Sequence, residues 1–333
     1  CQRNICGLSS CSRLVPIMAI PPIPKKGRLK FFLHPRHWHR WLGVGAMRAV
    51  SLLPLPMLAW GGGSLGALLY HIHPSRRQIA TINIRKCFPE LTAAAQTQMV
   101  KRHFRVFGQT LLDMGIAWWA SPQRLRRLVT THGRQHYDRA VADGRNIILL
   151  VPHLVGLEIG GVRISLDHPI LGLIRHVDNE VLRLVMEKGR SRFGFTLMEY
   201  NKPMISLVKQ IREGLPIYYL PDQDPRKRKL AFVPFFGVST ATLTTLGRLT
   251  KLTDAVVIPC YCRQLPGGKG YEVAFKPPLK DFPTDNAVSD AERMNREIER
   301  VVREMPEQYF WLHKRFKTRP AGEASFYPKE KRR

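Results

Sequence analysis

The chain has 333 residues, of which 53 are Lys or Arg and 25 are Asp or Glu, so its formal net charge is +28 with His counted as neutral. Hydrophobic residues make up 44% of the chain, which excludes a disordered basic tail protein. A chain of this length can bury a core without disulfides or metals. The positive charge predicts a polyanionic partner, and composition leaves open nucleic acid, an anionic membrane or an acidic protein.

The six cysteines of the chain are Cys1, Cys6, Cys11, Cys87, Cys260 and Cys262. They form neither a C-x-x-C pair nor a cluster with His at the spacing of zinc ligands, so we predict no metal site. Cys260 and Cys262 are separated by one residue and would lie on the same face of a strand. We interpret them as packing residues in a reducing compartment.

The N-terminal region, residues 1–36, is basic and is expected to be disordered. Its opening residues lack the long apolar core of a signal peptide, and Met18 is the expected start of the protein. Basic and aromatic residues are then interleaved over residues 25–40, a pattern typical of a segment that approaches a membrane surface.

Residues 42–70 are apolar and carry a single charge, Arg48, so the segment approaches the length needed to span a bilayer. Pro54, Pro56 and the glycines at 61–63 are expected to break this segment into halves. Basic residues flank it on both sides, so a simple span would export one positive cluster against the positive-inside tendency. Three structures stay open: a bent or shallow element inserted from the cytoplasmic face, a true span, or a helix buried in the core.

Beyond this segment, helical spacing alternates with short apolar runs of the kind that form strands buried on both faces. Helices are predicted over residues 76–88, 91–120, 178–192, 203–213, 242–252 and 290–304. Strands are predicted in the run NIILLVPH that begins at Asn146 and over residues 170–174, 216–220 and 255–261. This alternation predicts an α/β sheet with helices on its faces.

Sites in open α/β sheets lie at the carboxyl ends of strands, and the first apolar run ends at His153. Glu158 follows five residues later and would point about 140° away on an ideal helix. The two side chains can therefore meet only if His153 lies in a turn and Glu158 in the first helical turn after it. The carboxylate would then hold one imidazole nitrogen and leave the other free as a base. A capping Glu beside an incidental loop His is the alternative.

Arg175 follows the second run and could bind a phosphate or carboxylate through two hydrogen bonds, although a solvated surface Arg is equally compatible with the pattern. The third run is followed by three polar residues, Asp222, Gln223 and Asp224. The aromatic segment after it contains Phe232, Phe235 and Phe236. An apolar loop beside polar strand ends suits a site that holds an apolar chain next to a charged head, and core packing is the alternative. No G-x-S-x-G nucleophile motif occurs in the chain.

Five ordered blocks of the chain carry a family resemblance: HLVGLE, LGLIRHVDN, LPDQDPRKRKLAFVPFFG followed by TATLT, the VIP at 257–259, and the ending QYFWLHKRFKTRP at 308–320. Together they strongly resemble the late lipid A acyltransferases, the lauroyl and myristoyl transferases of lipopolysaccharide synthesis. The resemblance extends from about His37 to Pro320.

This resemblance implies a glycerophosphate acyltransferase-like α/β fold, an HX4D/E dyad, an acyl carrier protein thioester as the donor and a site on the cytoplasmic face of the inner membrane. By the same resemblance His153 is the base, Glu158 orients it, and Arg175 binds an anionic part of a substrate. Asp222, Gln223, Asp224, Phe235 and Phe236 are the further candidates for substrate binding. The basic turn at 226–229 is expected to help dock the acidic carrier protein.

The sequence therefore predicts an O-acyltransferase that moves a fatty acyl chain from acyl carrier protein to a hydroxyl of a lipid A precursor, without a cofactor. Its expected regions are a membrane-associated segment at 37–75, an acyltransferase domain at 76–320 and a basic tail at 321–333. Alternatives are an acyltransferase acting on another phospholipid or glycolipid, a thioesterase, and a membrane-attached nucleic-acid-binding protein. The chain has no motif typical of the last, so we predict no nucleic-acid partner.

Overall fold

The computed structural model describes residue 32 and residues 34–175, 177–225 and 230–328. The predictions for residues 1–31, for the basic turn at 226–229 and for the last five residues therefore lie outside the described residues. The helices are α1 (Trp38–Val50), α2 (Leu55–Ile72), α3 (Pro74–Cys87), α4 (Ala93–Trp119), α5 (Pro122–Leu128), α6 (Arg134–Ala142), α7 (Leu157–Ser165), α8 (Glu180–Arg190), α9 (Met204–Arg212), α10 (Thr245–Thr253) and α11 (Ala287–Glu304). The strands are β1 (Val129–His132), β2 (Asn146–Leu150), β3 (Ile170–Ile174), β4 (Phe195–Glu199), β5 (Ile217–Tyr219), β6 (Leu230–Phe235), β7 (Val238–Leu243), β8 (Ala255–Gln264) and β9 (Tyr271–Phe275).

Within the described residues, seven strands form one mixed sheet in the order β1-β9-β8-β2-β5-β3-β4. Strands β8, β2, β5, β3 and β4 run parallel to one another, β9 pairs with β8 in the antiparallel direction, and β1 pairs with β9 in parallel. The carboxyl ends of β2, β3, β4 and β5 therefore meet at one edge of the sheet. Helices pack on both faces, so the predicted α/β sheet flanked by helices is confirmed.

The predicted strands match the structure closely, and β3 has the predicted limits, Ile170–Ile174. One predicted helix, over residues 242–252, begins later than expected, because residues up to Leu243 belong to β7. This strand forms an antiparallel hairpin with β6, separate from the main sheet. Cys260 and Cys262 are buried in the core on one face of β8, which confirms their interpretation as packing residues.

The apolar segment near the N-terminus forms two helices, α1 and α2, with the chain bending at residues 51–54. The expected break at the glycines 61–63 is wrong, because α2 continues through them. A β-carbon at Gly62 would lie 2.3 Å from the Cα atom of Gln109, so the glycine allows α2 to pack closely on α4. Pro56 lies in the first turn of α2, where its missing N–H breaks no helical hydrogen bond.

One face of α2 is buried against α4 and the other is exposed, so the alternative of a helix enclosed by the core is wrong. Large exposed apolar side chains include Leu42 on α1, Leu52 in the bend, and Met57, Trp60 and Leu68 on α2. Among the described residues, no helix has both the length and the apolar character that crossing a membrane requires.

Candidate active site

His153 lies in the turn between β2 and α7, where the sequence predicted it. The last β2 hydrogen bond runs from the Val151 N–H to the Tyr219 carbonyl, after which the chain leaves the sheet. The turn is held by the C-terminal segment, because the His153 carbonyl accepts a hydrogen bond from the Phe310 N–H at 2.9 Å. Leu154 also forms an isolated bridge with Tyr309. The QYFW block therefore fixes the backbone that carries the imidazole.

The carboxylate that holds the His153 imidazole belongs to Asp222, which follows β5. Its Oδ1 lies 2.5 Å from His153 Nδ1, and its Oδ2 accepts a hydrogen bond from the His153 N–H at 2.8 Å. Strands β2 and β5 are neighbours in the sheet, so the turns that follow them lie side by side. Asp222 was predicted to bind substrate, and the structure instead directs both of its oxygens to His153.

Asp222 is fully buried, and burial by itself raises the pKa of a carboxyl group. The His153 imidazole and the hydrogen bonds from His153 outweigh this effect and hold the pKa of Asp222 below its ordinary value. The carboxyl group is therefore ionised at neutral pH and can only accept a hydrogen bond. The proton of the neutral imidazole consequently sits on Nδ1, which leaves Nε2 as the nitrogen that can act as a base.

Glu158 lies in the first turn of α7, as predicted, but its carboxylate has other partners. Arg190 binds it through two hydrogen bonds, of 2.8 Å to Oε1 and 2.6 Å to Oε2. The Trp118 indole N–H donates to Oε1 at 2.7 Å. Burial raises the pKa of Glu158, but the charge and hydrogen bonds of Arg190 bring it below its ordinary value. The predicted contact between Glu158 and the imidazole is thus replaced by one from Asp222.

A cavity of about 880 Å³ opens at the carboxyl edge of the sheet, beside β2, β3, β4 and β5. His153, Glu158 and Arg190 line it together with a larger number of apolar side chains. This volume lies within the ~300 to 1,000 Å³ that is usual for small-molecule sites. An imidazole base beside a largely apolar cavity suits a reaction on an apolar substrate.

Three basic residues line the cavity and are exposed: Arg175, Lys202 and Arg248. Arg175 follows β3, as predicted, and its guanidinium lies 5.3 Å from the centre of the Tyr200 ring. Lys202 and Arg248 were not among the sequence candidates, because nothing in their local pattern distinguishes them from solvated residues. Together the three give the cavity entrance a positive charge that favours an anionic group.

The remaining polar candidates, Gln223 and Asp224, also line the cavity. The Asp224 carboxylate accepts hydrogen bonds from the N–H and hydroxyl of Thr318, at 2.8 and 3.1 Å. The Asp224 N–H donates to Nε2 of His313, whose pKa is lowered to about 4, first by burial and then by His153 and Arg315. A neutral His313 can accept this bond at neutral pH, so the C-terminal segment also fixes the turn after β5.

Phe235 and Phe236 do not line this cavity. Both are buried in the core, where Phe236 packs on Phe88 and Phe235 packs on Phe316 and Tyr309. They end β6 and begin the two-residue turn of the hairpin, in which Phe236 has a positive φ of 51°. The surroundings of these two residues are those of the core-packing alternative.

Sequence reasoning did not find the partners of Glu158. Arg190 and Trp118 lie 32 and 40 residues away from it along the chain. Arg190 closes an ordinary amphipathic helix, and Trp118 lies near the end of α4. No short spacing connects them to Glu158, and only the packing of α4, α7 and α8 brings them together.

These features define the class of protein as an α/β enzyme with a carboxylate-bound histidine at the strand ends and a mainly apolar cavity beside it. The family model of the bacterial lipid A biosynthesis acyltransferases matches residues 25–318. The chain therefore belongs to this family of acyltransferases, as its sequence blocks predicted.

Three relatives from Escherichia coli (strain K12) illustrate the similarity. The chain is 34% identical to a lipid A biosynthesis lauroyltransferase over 296 residues, which cover 89% of this chain and 96% of the relative. It is 32% identical to a lipid A biosynthesis palmitoleoyltransferase, with the same coverage. It is also 32% identical to a lipid A biosynthesis myristoyltransferase over 308 residues, which cover 90% of this chain and 94% of the relative.

Proposed function

We propose that this protein transfers a fatty acyl chain from acyl carrier protein to a hydroxyl group of a lipid A precursor. The family supports acyl transfer in lipid A biosynthesis. The observation that carries the chemistry is the contact between His153 and the buried carboxylate of Asp222 at the edge of the cavity. An imidazole with a fixed tautomer is suited to deprotonate a hydroxyl.

In the proposed reaction Nε2 of His153 takes the proton of the acceptor hydroxyl while the hydroxyl oxygen attacks the thioester carbonyl. The carbon–sulfur bond then breaks, and the imidazolium returns its proton to the departing thiolate. The products are an ester on the acceptor and the free thiol of the carrier, and no covalent enzyme intermediate is required. Asp222 stabilises the imidazolium and keeps its ring in place.

Glu158 has a different role in this proposal, because its carboxylate is occupied by Arg190 and Trp118. It anchors Arg190 in the wall of the cavity and joins α7 to α8. The exposed basic residues at the cavity entrance, with Arg175 among them, receive the anionic part of a substrate. A guanidinium can bind a phosphate through two hydrogen bonds, which supports a phosphorylated acceptor.

The apolar face of α1 and α2 is the proposed site of attachment to the cytoplasmic leaflet of the inner membrane. Trp60 and Leu42 are 80% and 76% exposed, and Arg48 adds a positive charge on the same pair of helices. Such a face can lie in the plane of the interface, and an anionic leaflet attracts nearby basic side chains. An acceptor embedded in that leaflet would then reach the cavity without leaving the membrane.

The experiment supplies purified full-length protein in anionic vesicles with acyl carrier protein thioester and lipid A precursor, and detects products by mass spectrometry. The expected product is the precursor with one additional ester-linked acyl chain. His153→Ala should reduce its formation by at least ~10² to 10⁴, the usual contribution of a positioned base. His132→Ala, which alters an exposed histidine on β1, is the matched control and should keep wild-type activity.

Other outcomes would contradict the proposal in distinct ways. Free fatty acid without acylated lipid would show a thioesterase, and acylation of a different phospholipid or glycolipid would change the acceptor. Salt-sensitive binding to duplex nucleic acid without any acyl transfer would support the nucleic-acid alternative. A folded His153→Ala protein with full activity would refute the assignment of the base.

A further inference from the structure

Consecutive residues of β3 and of β4 line the cavity. Because neighbouring residues of a strand point to opposite faces, the cavity extends over both faces of the sheet at its carboxyl edge. We call the part under α7 and α8 the inner arm. Its apolar lining includes Gly172, Met186, Phe195, Leu197 and Tyr218. We call the part beside α9 and α10 the outer arm. Its apolar lining includes Leu173, Met198, Met204, Leu207 and Leu249.

The two arms differ in how far they are enclosed. In the inner arm, Met186, Phe195, Leu197 and Tyr218 belong to the core cluster on that face of the sheet and are at most 8% exposed. In the outer arm, Met198 and Met204 are only half-buried, and neighbouring Ile205 is 74% exposed. A closed arm can measure the length of a chain that enters it, whereas an open one leaves the chain end free.

The inner arm ends at the ring of Phe195, which lies between two glycines. A β-carbon at Gly172 on β3 would lie 2.4 Å from Phe195 Cε1, and one at Gly161 on α7 would lie 2.8 Å from Phe195 Cε2. The ring therefore occupies the space that these glycines leave free. The Tyr218 ring meets it edge-on at a centroid distance of 6.2 Å, which restricts a third side.

The position of Phe195 along its strand makes it the deepest residue of β4. It is the first residue of that strand, and Glu199 is the last, at the carboxyl edge where His153 lies. Four residues at ~3.3 Å each place Phe195 roughly 13 Å from this edge. Leu197 lies midway and points to the same face. The lining of the inner arm thus extends from the carboxyl edge, where His153 lies, down to the ring of Phe195.

We propose that Phe195 is the floor of the acyl-chain site and sets the longest donor chain that the enzyme uses. This inference rests on the proposed function, since it assigns the donor chain of that reaction to the inner arm. The glycines at 161 and 172 are the positions that allow the ring to lie across the inner arm. Removing the ring opens space that is continuous with the cavity, so a longer chain can be accommodated.

The test compares wild type with Phe195→Leu and Phe195→Ala, offering a mixture of acyl carrier protein thioesters of increasing chain length. Both variants should shift the product distribution towards longer chains, and Ala should shift it more than Leu. Because a hydrophobic pocket discriminates by roughly 10- to 200-fold per methylene, rejection of a donor just beyond the wild-type limit should weaken at least about tenfold. Mass spectrometry of the acylated lipid reads the distribution directly.

Two further variants distinguish a specific limit on chain length at Phe195 from a general loosening of the core. Met198→Ala is the matched control, because it removes a side chain from the same strand but on the face of the outer arm. It should leave the length preference unchanged. Leu197→Phe adds bulk midway along the inner arm and should shift the preference to shorter chains, which a loosened core would not produce.

The outcomes separate this inference from the function on which it rests. Acyl transfer by all variants with an unchanged length distribution would overturn the floor while leaving the proposed function intact. If Met198→Ala shifts the length distribution and Phe195→Ala does not, the donor chain lies in the outer arm and not in the inner arm. Wild-type protein that acylates no lipid with any donor would refute the proposed function, and the inference with it. If Phe195→Ala fails to fold, the opposite shifts of Phe195→Leu and Leu197→Phe still decide the question.

Discussion

At the edge of the cavity, Asp222 and Glu158 are buried carboxylates whose partners are an imidazole and a guanidinium. In the region between α4, β8 and β9, the buried carboxylate of Asp113 accepts hydrogen bonds from three neutral side chains of the described residues, Gln109, Gln264 and Tyr271. Burial raises the pKa of all three carboxyl groups. The basic partners reverse this effect at the cavity, whereas the pKa of Asp113 is raised to about 6.

The difference shows what decides whether a buried carboxyl group stays ionised. A neutral hydrogen bond recovers only part of the cost of removing a carboxylate from water, whereas a nearby positive group can recover all of it. Asp222 and Glu158 are therefore held ionised over the physiological pH range. The pKa of Asp113, raised to about 6, couples its protonation to folding stability.

The largest expected effect comes from Asp222→Asn. The amide keeps the shape of the carboxylate, but it can donate to Nδ1 and so favour the tautomer in which Nε2 is no longer a base. We expect kcat to fall by roughly 10² to 10⁴, with little change in KM for either substrate. Steady-state kinetics on the folded variant measure both constants.

Asp224→Asn is the matched control for Asp222→Asn, because it alters an equally buried carboxylate two residues away that is bonded to Thr318. It should lower stability more than kcat. Asp222→Glu should restore part of the lost kcat, since it returns a carboxylate near the imidazole. A rise in KM together with a fall in kcat, with no rescue by Glu, would mean that Asp222 acts through the fold of the turn and not through His153.

The second largest expected effect is a loss of folding stability in Glu158→Gln. This change leaves Arg190, whose side chain is 21% exposed, without its counter-charge. Breaking a fully buried pair costs roughly 3 to 5 kcal/mol, so this is the upper range of the expected loss. The double variant Glu158→Gln with Arg190→Gln should recover part of this loss, because no unpaired charge remains. Denaturant unfolding of the two single variants and the double variant gives the coupling energy.

The activity of the same variants decides whether Glu158 acts with Arg190 or with the imidazole of His153. If Arg190 is its functional partner, a folded Glu158→Gln protein keeps a kcat well above that of Asp222→Asn. If Glu158→Gln instead loses as much kcat as His153→Ala at unchanged stability, the carboxylate works with the imidazole as the sequence pattern predicted. The contact between Asp222 and His153 would then belong to a state other than the reactive one.

The sequence predicted the buried parallel strands well, because an uninterrupted apolar run such as that of β3 has few alternative structures. It did not reveal the β6–β7 hairpin, where Phe235 and Phe236 resemble an exposed apolar loop until Phe88 and Phe316 are seen to cover them. The glycines of α2 were also misinterpreted. Glycine disfavours a helix when only the local sequence is considered, but at Gly62 the close contact with α4 requires it.

The sequence predicted where His153 lies, but not which carboxylate contacts it. His153 was found because it ends a buried run, whereas its carboxylate was sought nearby in sequence, at Glu158. The true contact is with Asp222, 69 residues away, and depends on β5 lying beside β2. Strand order is a tertiary property that no local spacing encodes. The position of the Phe195 ring between Gly161 and Gly172 was missed for the same reason, since these glycines lie on different elements.

The smallest expected effect concerns Asp113. A carboxyl group whose pKa is raised by folding contributes stability that is fully present below its unfolded pKa and is lost as the pH rises through about 6. Asp113→Asn removes this titration, so the free energy of unfolding of the variant minus that of wild type should increase by about 1 to 2 kcal/mol between pH 5 and pH 8. Tyr271→Phe should move the transition to higher pH, because the tyrosine hydroxyl lowers the pKa of Asp113. Denaturant unfolding at several pH values measures the difference, and a value that stays flat would mean that the pKa of Asp113 in the folded protein does not lie in this range. Acyl transfer by Asp113→Asn should match wild type, in contrast to Asp222→Asn, because Asp113 does not line the cavity.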